Sequence, residues 1–211
     1  MGFWMTLSRH DAGRVEELLH HPDGAQAGRR RLWEAWNEGL DMNDEGESGS
    51  AHAPGGPPRL RFAEENNDIR RNWDGLHVLL TGCREHDRDE HATPCGRAPA
   101  RDVVMGGLPL VEDGGGGIAR IDTPRLLVPA EVHAVHAFLR TVDVHALIRE
   151  RAGLVEEAGV YSFRMRVGQP DGSVRTMSMI EDGSLAESLE GVRGFYARAA
   201  AAGNAVVKEI S

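Results

Sequence analysis

Asp74, His77 and Thr81 stand at positions i, i+3 and i+7, which on an α-helix places them in one column. A carboxylate beside an imidazole fixes its tautomer and raises its basicity, which is what a general base requires. Trp73, four residues before His77, would add an apolar wall or a stacking face. Trp73, Asp74, His77 and Thr81 are therefore the candidate binding residues. No Ser, Cys or second carboxylate is spaced in sequence to complete a catalytic set. The same residues also read as core: His77 bonded to a buried carbonyl, Asp74 capping or paired with Arg70 or Arg71, Trp73 packed.

Metal and phosphate chemistry find weaker support. Cys83-x-x-His86 and His91-x-x-x-Cys95, with His77 upstream, supply zinc-type donors but match no standard ligand spacing. His133 and His136, with His145 beyond, lack the His-Glu-x-x-His pattern and read as a surface face. The run Gly114 to Gly117 has no following Lys-Ser or Lys-Thr, and Lys208 is the sole lysine of the chain. A phosphate loop is thus excluded, and neither metal nor cofactor is expected.

The chain has 211 residues, enough for one medium-sized domain. Its net charge of -9 argues against nucleic acid or an anionic membrane as partner. Arg29, Arg30 and Arg31 interrupt that acidic background and read as a solvated helix end. Two cysteines make no disulfide framework and point to a reducing compartment. The first residues lack a basic and then apolar leader pattern, and no stretch reaches the ~20 apolar residues of a membrane span. With arginine so far ahead of lysine, a bacterial cytoplasm is the expected setting.

The elements that must position these residues follow from apolar periodicity. Phe3 to Leu7 predicts a first strand and Arg9 to His20 a helix capped by Ser8. Ala27 to Glu38 predicts a second helix. Ile69, Trp73, Leu76 and Leu80 predict a third, capped by Asp68 and ending at Gly82. Pro129 opens a helix with Val132, Val135, Leu139 and Val142 on one face; Val144 to Ile148 continue it or begin another. Tyr161 to Val167 and Val174 to Ile180 predict a hairpin about the Pro170-Asp171-Gly172-Ser173 turn. Leu185, Leu189, Val192, Tyr196 and Ala199 mark a long helix, and Ala205 to Ile210 a last strand. The polar segments 41–58 and 85–101 interrupt the pattern and are expected to be flexible insertions.

Trp73-Asp74-x-Leu76-His77-x-Leu79-Leu80-Thr81-Gly82 resembles the signature of the YfbM-like family, a bacterial domain of unknown function. Val104-Met105-Gly106-Gly107, Pro124 to Val132, and Phe195 to Val206 are similar to further segments of that family in the same order. Gly114 to Gly117 departs from it, where relatives carry a Gly-aromatic-Gly element. The resemblance implies a compact α+β domain with no established activity.

The expected fold is a single α+β domain over 1–211. A small mixed sheet would take strands from both termini and be packed by three or more amphipathic helices. The expected function is a non-enzymatic binding or interaction domain for a protein or small-molecule ligand, with homodimer formation left open. The alternative is a small hydrolase or transferase using Asp74 and His77 as an acid–base pair. Because the Cys/His spacings are irregular and the helices suffice for a core, chelation should leave the thermal midpoint unchanged. Stoichiometric zinc in the purified protein, with unfolding on its removal, would overturn this.

Overall fold

Consecutive apolar residues Ala205, Val206 and Val207, with Ile210, give the strand Ala205–Ile210 (β7) two buried faces. It pairs antiparallel with Met5–His10 (β1), from Met5 opposite Ile210 to His10 opposite Ala205. The computed structural model describes residues 5–41, 66–70, 72–83, 95–111, 123–160, 163–168 and 172–210. Three more strands, Asn66–Arg70 (β2), Leu108–Pro109 (β3) and Arg125–Leu127 (β4), complete a sheet of order β2-β1-β7-β4-β3. The strands from the two termini are its centre, in the α+β arrangement expected. All four pairings are antiparallel, which corrects the expectation of a mixed sheet. Strand direction is set by which neighbour a strand meets across the fold, and apolar spacing carries no record of it.

Helices cover both faces. On one, Met5, Leu7, Leu127, Val206 and Ile210 join the larger core. Helices Trp73–Thr81 (α3), Pro129–Thr141 (α4), Val144–Glu157 (α5) and Ser184–Ala201 (α6) build the rest of it. On the other, Leu126, Ala205 and Val207 meet Val15 and Leu18 of α1 (Ala12–Leu19) and Leu32, Ala35 and Trp36 of α2 (Ala25–Asp41). Arg164–Gly168 (β5) and Val174–Ser178 (β6) form the expected hairpin as a separate two-stranded sheet.

Local capping explains where several boundaries differ from those expected. Ser8 lies inside β1, and Asp11 instead caps α1, accepting from the Arg14 amide at 2.8 Å. Ile69 belongs to β2, so Asp68 caps no helix and α3 starts at Trp73. Asp143 accepts from the Ala146 amide at 2.9 Å, which makes Val144–Glu157 a new helix. Glu131 reaches back to the Val128 amide at 2.9 Å and closes the first turn of α4 behind Pro129. Residues 42–58 and 85–94, where flexibility was expected, lie outside the described residues. The remainder of the second segment, from Cys95, leads into a 3-10 turn at Arg101–Val103.

Trp73 is 4% exposed and belongs to the larger core with Leu185 and Leu189 of α6. Asn72, just before it, donates to the Ser184 carbonyl at 3.1 Å and to Ser188 Oγ at 2.8 Å, holding α3 against α6. Truncating a buried indole leaves a cavity. Trp73→Ala should lower the unfolding free energy by about 3–5 kcal/mol in urea denaturation; a loss below about 1 kcal/mol would mean the ring is not core.

Candidate functional site

Every residue of α3 from Trp73 to Leu80 is buried, because α5, α6 and the 3-10 turn surround it. Asp74 is 4% and His77 3% exposed, so this column does not line a pocket open to water. The expectation that Trp73, Asp74 and His77 would face a ligand is corrected here: a nine-residue helix enclosed on all sides has no outward face for them. Thr81 alone is half-buried. Its hydroxyl donates to the His77 carbonyl at 2.7 Å and accepts from the Cys83 amide at 3.1 Å, finishing the helix before Gly82 turns left-handed.

The fold singles out one partner for His77 from the irregular Cys/His set. Cys95 Sγ lies 3.8 Å from His77 Nε2, although eighteen residues separate them. Gly96 makes this approach possible. Its φ is +93°, and a Cβ there would stand 2.7 Å from the Thr81 methyl. The chain at Cys95-Gly96 is thereby pressed onto the last turn of α3. Both cysteines are free thiols and half-buried. His86 and His91 lie outside the described residues, and among the described residues no three His, Cys, Asp or Glu side chains gather as metal ligands. His133 and His145 stand exposed, on α4 and α5.

A second buried polar group was missed. Lys208, 2% exposed, donates to the Asp102 carbonyl at 2.5 Å, and Tyr196 donates to the Val103 carbonyl at 3.1 Å. Two side chains from the core thus hold adjacent carbonyls of the 3-10 turn. Burial lowers the Lys208 ammonium to about 7, with Arg125 and Arg101 adding repulsion while Asp102 and Glu131 oppose it. Burial likewise pushes the Tyr196 phenol up and the Arg125 guanidinium down. A legible signal existed: a lone lysine between Val206 and Ile210 on one face of an apolar strand. Gly106 and Gly107 follow the turn. A Cβ on Gly107 would sit 2.7 Å from the Leu126 carbonyl at a φ of +105°, so the chain passes β4 there only as glycine.

Among the described residues, an open groove lies on the other side of the sheet. A groove of about 470 Å³ along α2 is lined by His21, Asp23, Gln26, Arg30, Arg31 and Glu34. It adjoins a smaller hollow, about 280 Å³, which adds Trp33, Leu110 and Val111.

The match of the sequence to a family model spans residues 1–208, nearly the whole chain, including α3 and the Gly106-Gly107 crossing. This chain belongs to the DUF1877 family, domains of unknown function. The fold agrees with that of YfbM, a protein of unknown function from Escherichia coli whose crystal structure covers 99% of both chains. The TM-score is 0.54 at 18% sequence identity, which establishes a shared fold. No curated protein shows significant sequence similarity to it. The DUF1877 domain keeps its sequence-expected class, and the buried α3 column sits at its centre. No helix among the described residues is long and apolar enough to cross a membrane.

The Lys208 environment makes the stability of this DUF1877 domain pH-dependent. Its ammonium titrates near 7 in the folded chain and near 10.5 in the unfolded one. Between those values the unfolded chain holds a proton that the folded chain has released, so stability rises with pH across the window and is lost as pH falls. The Tyr196 shift acts in the opposite sense, but only above its ordinary range. Urea unfolding from pH 7 to 9.5 should show a gain on the order of 3 kcal/mol, which Lys208→Met abolishes. A flat profile in the parent chain would show that the lysine is charged in place.

Proposed function

We propose that this domain is a non-enzymatic binding module that takes its ligand along α2. The observation supporting this is where the charged groups stand. The acid–base candidates Asp74 and His77 are closed within the core, whereas Arg30, Arg31 and Glu34 line the open groove. Arg30 and Arg31 are exposed and, among the described residues, make no ion pair within 4.0 Å. Guanidinium groups recognise carboxylates and phosphates through paired hydrogen bonds, and Trp33 and Val111, both half-buried, line the adjoining hollow beside them. The ligand class is a small molecule carrying a carboxylate or phosphate and an apolar portion. A net charge of -9 weighs against nucleic acid and anionic membranes. Two free thiols fit a bacterial cytoplasm, the compartment proposed here.

The rival reading, a hydrolase or transferase acting through Asp74 and His77, needs a carboxylate that substrate can reach. Asp74 offers none in the folded chain. A thermal-shift series with aromatic and aliphatic carboxylates and phosphates tests the binding reading, since any ligand selective for the folded state raises the midpoint with concentration. At least one such anion should raise it in the parent chain and fail to do so in Arg30→Ala/Arg31→Ala. Equal shifts in both proteins, or none in either, would remove the groove as the site.

A further inference from the structure

We propose that Cys95 is an activated thiol whose proton is taken by His77, and that it exchanges with small disulfides. The reading is independent of the groove along α2, which lies on the opposite face of the sheet.

The geometry carries it. His77 Nε2 is 3.8 Å from Cys95 Sγ, close enough to accept a proton from the thiol. The imidazole is buried on α3, while Cys95 in front of it is only half-buried. Gly96, which fits only as glycine, keeps the sulfur on that spot. Among the described residues, charged groups reach this end of α3 from the helix itself, from α5 and from the 3-10 turn. Asp74 stands on the helix itself. From α5, Arg151 donates to the Leu79 and Leu80 carbonyls at 2.9 and 3.2 Å. Arg101 brings its Cβ near Gly96 and gives its guanidinium to Asp102 at 3.3 Å. Arg101 and Arg151 are matched by Asp102 and Glu150, so it is the imidazole acceptor against the sulfur that favours thiolate.

The exchange balances without an added oxidant. The Cys95 proton passes to His77 Nε2. The thiolate attacks one sulfur of the disulfide, a Cys95 mixed disulfide forms, and the second sulfur leaves as thiolate with the bonding pair. Soft sulfur electrophiles are the ligand class, because this reaction needs neither a carboxylate nor a metal to hold the substrate.

Cys83 provides an internal control, since it is also free and half-buried but has no imidazole against it among the described residues. The probe is dithiobis(nitrobenzoate), which releases a coloured thiolate on exchange. Its rate is measured with Cys95 in Cys83→Ser and with Cys83 in Cys95→Ser, across pH 5 to 10. A thiol titrating near 7 is about half ionised at pH 7, against about 3% for an ordinary one near 8.5. Its weaker intrinsic nucleophilicity removes part of that advantage. Cys95 should therefore react at least threefold faster than Cys83 at pH 7, with a pH midpoint at least one unit lower. A smaller rate ratio, or a midpoint within one unit of that of Cys83, overturns the proposal. His77→Asn should bring the Cys95 midpoint up to that of Cys83, and an unchanged midpoint in the folded variant also overturns it. If His77→Asn does not fold, the profile of Cys95 in the Cys83→Ser protein decides alone.

Discussion

The β1–β7 ladder is the interaction on which everything else rests. Six residues pair from Met5 opposite Ile210 to His10 opposite Ala205, joining the two ends of the described chain at the middle of the sheet. Both cores are built on it, since Met5, Leu7, Val206 and Ile210 face α3 and α6 while Ala205 and Val207 face α1 and α2. Closing so long a loop costs entropy that grows only slowly with its length, and the return is two buried faces rather than one. The consequence is that neither helical layer has a sheet to pack on until both ends of the chain have met. Such contacts are among the most non-local a chain of this length can make, which favours slow folding.

Set into that ladder is Lys208, opposite Leu7 on one side and Arg125 on the other. An apolar residue would suit the strand better by burial alone. What the lysine provides is a donor for the Asp102 carbonyl, next to the one Tyr196 provides for Val103. A 3-10 turn packed against a core leaves carbonyls that water cannot reach, and an unmet buried carbonyl costs about 1–3 kcal/mol. The lysine and tyrosine meet two of them. The same turn carries the chain from Cys95 past α3 to the Gly106-Gly107 crossing, so the position of the thiol depends on polar groups on the far side of the helix.

The sequence is legible where period and burial coincide. Leu185, Leu189, Val192, Tyr196 and Ala199 are spaced for one helical face, and all are buried along α6. Pro129 at the start of α4 and Gly82 at the end of α3 act where their backbone preferences place them. Ile69 misleads because a spacing of four residues is helical only if one helix spans it. Here the fourth residue back lies on a strand, and the interval from Ile69 to Trp73 crosses a turn. Ser8 misleads in the same way, as a good capping residue that tertiary pairing draws into β1 while Asp11 caps the helix. The contact of Cys95 with His77 was legible only as shared membership of an irregular Cys/His set, not as a pair. It depends on the path of the chain between them, and no local preference of either residue encodes that path.

Asp74, His77 and Thr81 do share a helix, as their spacing requires, yet that spacing says nothing about whether the shared face is inward or outward. The neighbours decide it. Gly75 admits Met179 so closely that a Cβ there would stand 2.5 Å from the sulfur, and Val78, Leu79 and Leu80 are buried on the other sides against α5, α6 and the 3-10 turn. A helix this apolar has its polar residues carried into the core with it. Thr81 meets the resulting demand locally, by bonding to the His77 carbonyl. His77 reaches the sulfur of Cys95 instead. An imidazole held in the core with the thiol of a half-buried cysteine before it cannot bind a ligand directly, but it can set the protonation of that sulfur. In that arrangement the buried histidine acts through sulfur, and the residue that meets an incoming molecule is the cysteine.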